Sequence, residues 1–192
     1  MTSLALVALA SCGGQDAFPL LSDSDLEAAP EFQREILADG NVTWSEYESS
    51  VIAQRDCVEA AGYSPGPIEK YGSQLEFITE SDYSDSPDPE AADAEFRKTL
   101  GDCDEEYASM VRIVYGESLV VTDPEERERL RVGLVDCLNL AGLDVAADVT
   151  ADEILSALDE LGPDRPDSAT ACVEQHDRLF HTSYFDAQDG VA

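Results

Sequence analysis

Apolar residues recur at helical spacing along most of this chain. One stripe contains Trp44, Tyr47, Val51 and Val58, and a second lies within 130–141. Such spacing places the apolar side chains on one face of a helix, where they can pack against a core. Similar segments cover 90–100, which leads to Cys103, and 107–115, 154–161 and 168–180. The pattern predicts a mainly α-helical domain.

Start and stop signals bound these helices. A Thr followed three residues later by a Glu has the spacing of a capping box, in which each side chain bonds the backbone N–H of the other residue. The pairs with this spacing are Thr43 with Glu46, Thr122 with Glu125, and Thr150 with Glu153. Pro124 suits a first helical turn, and Asp88-Pro89 also marks a helix start. We expect Gly62 and Gly142 to end their helices in the left-handed conformation.

A short β-hairpin is predicted in the first half of the chain. Residues 67–71 and 74–79 flank Gly72-Ser73, a turn sequence between two segments of strand-forming residues. Four aromatic residues crowd this region: Tyr63, Tyr71, Phe77 and Tyr83. They are either core residues or the wall of a ligand groove. If a groove exists, we expect it beside this hairpin.

Two segments of the chain repeat one pattern. In the first, Val42-Thr43 and Glu46 precede an Asp-Cys pair at Cys57 and a closing Ala-Gly at Gly62. In the second, Val121-Thr122 and Glu125 precede Asp-Cys at Cys137 and Ala-Gly at Gly142. Chance convergence of capped helices is the alternative, because such motifs are short. The repeat predicts two related helical half-units, each with a Cys late in its first long helix.

The start of the chain carries an export signature. Residues 4–10 are all apolar, a run that fits a secretory signal core but is far too short for a transmembrane helix. The sequence Leu9-Ala10-Ser11-Cys12 follows, and it resembles the lipobox of bacterial lipoproteins. The resemblance implies cleavage before Cys12 and acylation of its thiol.

Met1-Thr2-Ser3 contains no Lys or Arg, which departs from the basic region that usually precedes a signal core. A true start codon further upstream would explain this departure. The alternative interpretation is a buried apolar N-terminal helix with an incidental Cys.

The four other cysteines are Cys57, Cys103, Cys137 and Cys172. An even set in an exported chain predicts two disulfides, and no Cys-x-x-Cys occurs to indicate a redox or zinc motif. Chain order and the repeat favour one bridge within each half, Cys57 with Cys103 and Cys137 with Cys172. A bridge between Cys57 and Cys137 would contradict this assignment.

Composition limits the partners. The chain has 42 Asp and Glu against 11 Lys and Arg, a net charge of −31. Such a surface repels phosphate backbones and anionic headgroups, so we expect no nucleic-acid partner. Cations or basic proteins are electrostatically reasonable partners. Acidity for solubility alone explains the same composition.

Two segments of the chain contain residue types that can bind metals, but neither pattern favours a metal site. Residues 39–47 resemble the second part of an EF-hand loop, but the first and third ligand positions fall on Glu35 and Leu37. A Gly turn before a helix capped by Thr43 and Glu46 explains the same residues. His176 and His181 miss the spacing of a helical zinc pair. We expect no metal, no cofactor and no catalytic residues.

The Val-Thr-x-x-Glu helix that runs to Cys and Gly resembles small exported or lipidated actinobacterial proteins, and this resemblance implies no particular activity. The predicted organisation is a signal peptide at 1–11, a flexible tether at 12–29 and a single disulfide-stabilised helical domain at 30–192. Its halves are about 30–116 and 117–192. The predicted function is a non-enzymatic binding or envelope-associated structural protein, held on the extracytoplasmic face of the cell membrane through a lipid anchor on Cys12. The alternative is a ligand- or cation-binding accessory lipoprotein.

Overall fold

The computed structural model describes residues 21–84 and 86–183. Within them the α-helices are α1 (Asp23–Ala28), α2 (Glu31–Ile36), α3 (Trp44–Ala60), α4 (Pro89–Tyr107), α5 (Ser109–Leu119), α6 (Pro124–Leu140), α7 (Ala151–Leu161) and α8 (Asp167–Gln175). Short 3-10 turns cover Leu37–Asp39, Gly162–Asp164 and Asp177–Phe180. Strands β1 (Glu69–Tyr71) and β2 (Gln74–Glu76) pair in antiparallel register around the Gly72-Ser73 turn. The predicted fold class, mainly helical with one small hairpin, is confirmed.

Most of the predicted helix boundaries are confirmed at the level of individual hydrogen bonds. Complete capping boxes start α3 at Thr43 and α7 at Thr150. At the other end, Tyr63 N donates to the Val58 carbonyl, and Leu143 N donates to the Leu138 carbonyl in the same way. These bonds, with Gly62 at φ 97° and Gly142 at φ 92°, form Schellman motifs at the ends of α3 and α6.

The capping box predicted at Thr122 is wrong. The N-cap of α6 is Asp123, whose carboxylate accepts a hydrogen bond from Glu125 N at 3.0 Å. The reason is Pro124, which disfavours helical geometry at the residue before it. Asp123 is therefore extended, at φ −74° and ψ 116°, and the helix begins one residue later than predicted.

The last predicted helix, 168–180, is two elements. Helix α8 ends at Gln175, and His176 leaves helical geometry at φ −118° before the Asp177–Phe180 turn. Helix α5 continues to Leu119, so the first half ends slightly beyond residue 116.

A membrane-spanning helix needs both length and an apolar sequence, and no helix within residues 21–84 and 86–183 combines the two.

Each half has its own hydrophobic core. The first contains Leu37, Val42, Tyr47, Val51, Leu75, Val111, Val114 and Tyr115. The second contains Leu134, Val135, Leu138, Ile154, Leu158, Ala169, Cys172 and Leu179. The two clusters share no residue, which agrees with two half-units.

One disulfide ties each half together, as predicted. Cys57 bonds Cys103 and joins α3 to α4, while Cys137 bonds Cys172 and joins α6 to α8. Each bridge therefore lies between two helices of the same half.

The packed region begins before residue 30. Residues 21–29 were predicted as part of a flexible tether, but α1 begins at a capping box between Ser22 and Asp25. Leu21 and Leu26 pack against the first core, and Ala29 is buried. Cys12, the predicted signal peptide and residues 12–20 of the tether lie outside the described residues.

A buried amide organises the corner between α4 and α5. Gln33, which is fully buried on α2, accepts hydrogen bonds from Met110 N at 2.8 Å and Val111 N at 3.2 Å. Its amide nitrogen donates to the Glu105 carbonyl. Gln33 thus pairs with two backbone amides in the first turn of α5, which have no partner within the helix, and with a carbonyl near the end of α4.

Candidate functional site

A cavity of about 400 Å³ opens beside the hairpin, between α3, β2 and α5. We refer to it as the hairpin cleft. Helix α3 contributes Tyr47, Val51 and Gln54, and helix α5 contributes Arg112, Tyr115, Gly116 and Leu119. The hairpin side contributes Gln74, Leu75, Glu76, Phe77 and Thr79, and Leu100 and His181 complete the wall. The cleft lies where the sequence predicted a groove if one existed.

Tyr47 fixes the hairpin against α3. Its hydroxyl accepts a hydrogen bond from Leu75 N at 2.9 Å, and its ring stacks on Tyr115 with centroids 4.3 Å apart. Lys70 Nζ lies 4.6 Å from the centroid of the Trp44 ring and adds a cation–π contact between hairpin and helix. The floor of the cleft is therefore held in one arrangement by both strands.

Tyr115 is a neutral hydrogen-bonding group at neutral pH. Burial raises the pKa of its phenol above the ordinary value, and the nearby Tyr47 and Asp177 raise it further. The cleft thus keeps a phenol, not a phenolate, beside its apolar wall.

A guanidinium is held rigidly at the edge of the cleft. Arg112 Nη1 donates to Asp104 Oδ1 at 2.9 Å, and Nη2 donates to Gln54 Oε1 at 2.9 Å. The Gln54 amide nitrogen in turn donates to the same Asp104 oxygen at 3.1 Å. Each group in this network bonds the other two, so the plane of the guanidinium is fixed.

The C-terminal segment of the second half closes the other side. The Asp177 carboxylate accepts a hydrogen bond from Ser73 N in the hairpin turn, and His181 Nε2 lies 2.9 Å from Ser73 Oγ. Asp177 packs so closely over Gly72 that an added Cβ there would lie 2.5 Å from its oxygen. The hairpin of one half is therefore attached to the end of the other.

Ser73, His181 and Asp177 have the residue types of a hydrolytic triad but not its geometry. In that triad the serine and the carboxylate bond opposite nitrogens of the imidazole. Here Asp177 Oδ2 lies 3.6 Å from Nε2, the nitrogen that also faces Ser73. Among the described residues, both the Ser73 and the Asp177 contacts of His181 involve Nε2, and none of its contacts there joins a carboxylate to Nδ1. The arrangement joins the hairpin turn to the 177–181 segment and differs from the geometry of a hydrolytic triad.

The structure separates the two histidines that the sequence analysis considered. His176 Nδ1 lies 2.9 Å from the Cys172 carbonyl, and its ring packs over Gly133. His181 lines the hairpin cleft. Within 21–84 and 86–183 no group of three or more His, Cys, Asp or Glu side chains could hold a metal ion.

The segment 39–47, which resembles part of an EF-hand loop, is held by hydrogen bonds among its own residues. The Glu46 carboxylate accepts hydrogen bonds from Thr43 N at 2.8 Å and Thr43 Oγ1 at 2.7 Å. Asp39 accepts from Asn41 N at 3.0 Å, and Gly40 takes the left-handed turn. The capped-helix alternative therefore describes residues 39–47.

The sequence left open whether the four aromatic residues near the hairpin belong to the core or to the wall of a groove. Tyr63 and Tyr83 both contact the ring of buried Phe96, with centroids 4.9 and 6.2 Å apart. Phe77 lines the hairpin cleft, and Tyr71 is exposed. Two of the four are therefore packing residues, one lines the groove and one is exposed.

Sequence analysis missed the polar half of the cleft. Gln54 is at least 50 residues from Asp104 and Arg112 in the chain, and none of the three belongs to a motif. The one available signal was Gln54, a polar residue three positions before Cys57 on the apolar face of α3.

Neither protein-family models, curated proteins nor solved structures give a match to this chain.

Proposed function

We propose that this protein is a lipid-anchored extracytoplasmic protein that acts by binding and not by catalysis. The single observation that supports export best is the pair of disulfides, one in each half. Structural disulfides persist in oxidising compartments and are rare in the cytosol. The lipobox sequence that ends at Cys12 supplies the anchor in this proposal.

Labelling intact cells with a clickable fatty acid tests the anchor. The wild-type chain is expected to carry the label, and Cys12→Ala is expected to lose it. Ser11→Ala is the matched control, because it keeps a small residue before the cleavage point and the thiol that is acylated. An unlabelled wild type, or equal label on Cys12→Ala, contradicts the proposal.

A binding role is supported by how the polar groups of the hairpin cleft are held. Arg112 is fixed by Asp104 and Gln54, and His181 is engaged with Ser73. Fixed donors around an apolar cavity are typical of ligand sites. This observation favours the ligand-binding form of the proposal over a purely structural one.

Catalysis has a direct test at Ser73. Hydrolysis of p-nitrophenyl butyrate by the purified protein is expected to stay at the rate of buffer alone. Turnover above that rate that disappears in Ser73→Ala would contradict a purely binding role.

A further inference from the structure

Apolar and polar groups are separated within the hairpin cleft. Leu75, Phe77 and Leu119 form part of an apolar wall. Gln74, Arg112 and His181 line both this cavity and an adjoining one of about 490 Å³, so they lie at the boundary between the two. A ligand that fills such a site has an apolar body and a polar end at that boundary.

The charge of the cleft differs from that of the whole chain. Acidic residues outnumber Lys and Arg by 42 to 11 overall. Among the described residues that line the main cavity, Glu76 is the single carboxylate, whereas the adjoining cavity adds Glu117 and Asp104, the ion-pair partner of Arg112. The acidic excess of the surface is therefore absent from the lining of the main cavity, which contains one Glu and one Arg.

Arg112 keeps donors for a ligand. A guanidinium has five N–H groups, and the described partners of Arg112 are Asp104 and Gln54, which accept one from each Nη. The Arg112 side chain is 46% exposed and lines both cavities. A guanidinium whose plane is already fixed loses little entropy when it binds a planar carboxylate.

We propose that the hairpin cleft binds a small monocarboxylate with an apolar or aromatic body. Arg112 holds the carboxylate at the boundary that it shares with His181, and the wall that contains Leu75, Phe77 and Leu119 covers the body. This inference rests on the binding role proposed above and specifies its ligand class. It does not depend on the lipid anchor.

Gly116 allows the cleft to be filled without disturbing its polar groups. It lies on α5 in the wall of the cleft, and a Cβ added there meets no atom within 4 Å. Gly116→Leu therefore places a side chain in the cavity. Gly101→Leu is the matched control, because Gly101 is also helical, also meets no atom within 4 Å and is exposed.

The test is calorimetric titration of the purified full-length protein, with both disulfides formed, against three probes of one shape. The probes are 4-phenylbutyrate, 4-phenylbutan-1-ol and 4-phenylbutylamine. The carboxylate is expected to bind at least tenfold more tightly than the alcohol or the amine. Absence of binding by all three, equal affinity for acid and alcohol, or preference for the amine overturns the proposal.

Variants locate the site. Gly116→Leu is expected to weaken 4-phenylbutyrate binding at least tenfold, and Gly101→Leu is expected to leave it unchanged. Arg112→Gln is expected to remove the preference for the acid over the alcohol. Arg97→Gln, a change of an exposed arginine on α4, is expected to keep that preference. Circular dichroism confirms that each variant is folded, and unchanged binding in Gly116→Leu places the ligand elsewhere and overturns the assignment.

The two proposals fail separately. Binding without acylation of Cys12 refutes the anchor and leaves the cleft assignment intact. Acylation without binding of the carboxylate refutes the cleft assignment and leaves the anchor intact.

Discussion

The two halves share a scaffold but differ in what they bury. Each has a long helix of 17 residues that ends in a Schellman motif and carries a Cys bonded to a later helix. The first half, within the described ranges, buries Gln33, Ser50 and Gln54 and carries the hairpin and its cleft. The buried residues of the second core are apolar or disulfide-bonded. The first half therefore combines a buried polar network with a cavity, whereas the core of the second half is apolar.

Gln54 on α3 and Leu134 on α6 occupy equivalent positions and illustrate the difference between the two halves. Gln54 and Leu134 each lie three residues before the disulfide Cys of their helix, and both are buried. In the first half that position orients Arg112, and in the second it fills a core. The two equivalent positions therefore differ in their surroundings, a polar network in the first half and an apolar core in the second.

Removal of either disulfide is expected to have the largest effect on stability. The bridges span sequence separations of 46 and 35, so the loop-entropy model assigns each about 4 kcal/mol. Urea unfolding of Cys57→Ala/Cys103→Ala and of Cys137→Ala/Cys172→Ala measures this loss. Since the cores are separate, hydrogen exchange is expected to show lost protection mainly in the half whose bridge is missing. Equal loss in both halves would mean that they are one cooperative unit.

The second largest effect on stability is expected when the residue types at positions 54 and 134 are exchanged. Leu134→Gln places an amide in an apolar core and is expected to lower the free energy of unfolding by about 3 kcal/mol. Gln54→Leu is expected to cost about 1 kcal/mol, because Arg112 and Asp104 stay partly solvated and keep each other. Chemical denaturation gives both values. A larger loss for Gln54→Leu than for Leu134→Gln would contradict the contrast between the halves.

Gln33 tests whether the polar groups of the first half are structurally required. Gln33→Leu leaves Met110 N, Val111 N and the Glu105 carbonyl without this partner. The expected loss is about 2 kcal/mol, because buried polar groups lose their hydrogen bonds. Exposed Gln74→Leu controls for the amide-to-leucine change in the same unfolding assay. Equal stability of the two variants would show that the corner does not need the amide.

The capping boxes are expected to have the smallest effect, and one that depends on pH. Hydrogen bonds from the backbone and side chain of Thr43 lower the pKa of Glu46, and Thr150 lowers that of Glu153 in the same way. A carboxyl whose pKa is lower in the folded state stabilises the fold above its unfolded pKa, and this contribution is lost as the pH falls through the folded pKa. Both caps therefore weaken below about pH 4.5, the ordinary value for Glu.

Thermal unfolding from pH 7 to pH 3 measures this effect in Glu46→Gln and Glu153→Gln. Relative to wild type, each is expected to lose less stability on acidification. Glu48→Gln removes an exposed charge from the same helix as Glu46 and serves as the control. Parallel pH profiles for wild type and Glu46→Gln would exclude this role of the cap.

The sequence predicts the local part of this structure well. Capping pairs, helix ends and the Gly72-Ser73 turn depend on residues a few positions apart, so the sequence alone is enough to predict them. The disulfide pairing followed from the repeat. The capping box predicted at Thr122 is wrong because Pro124 keeps Asp123 extended, so that Asp123 becomes the N-cap of α6. Gln33, Arg112 and the contact of Asp177 with Ser73 were missed because they join distant segments whose contacts only the packed fold defines.

Thiol alkylation in intact cells, with quenching before lysis and peptide mapping without reduction, tests the central claim most directly. We expect Cys57–Cys103 and Cys137–Cys172 both to be formed in the cell and Cys12 to be blocked by lipid. Recovery of all five cysteines as free, alkylated thiols would contradict this expectation.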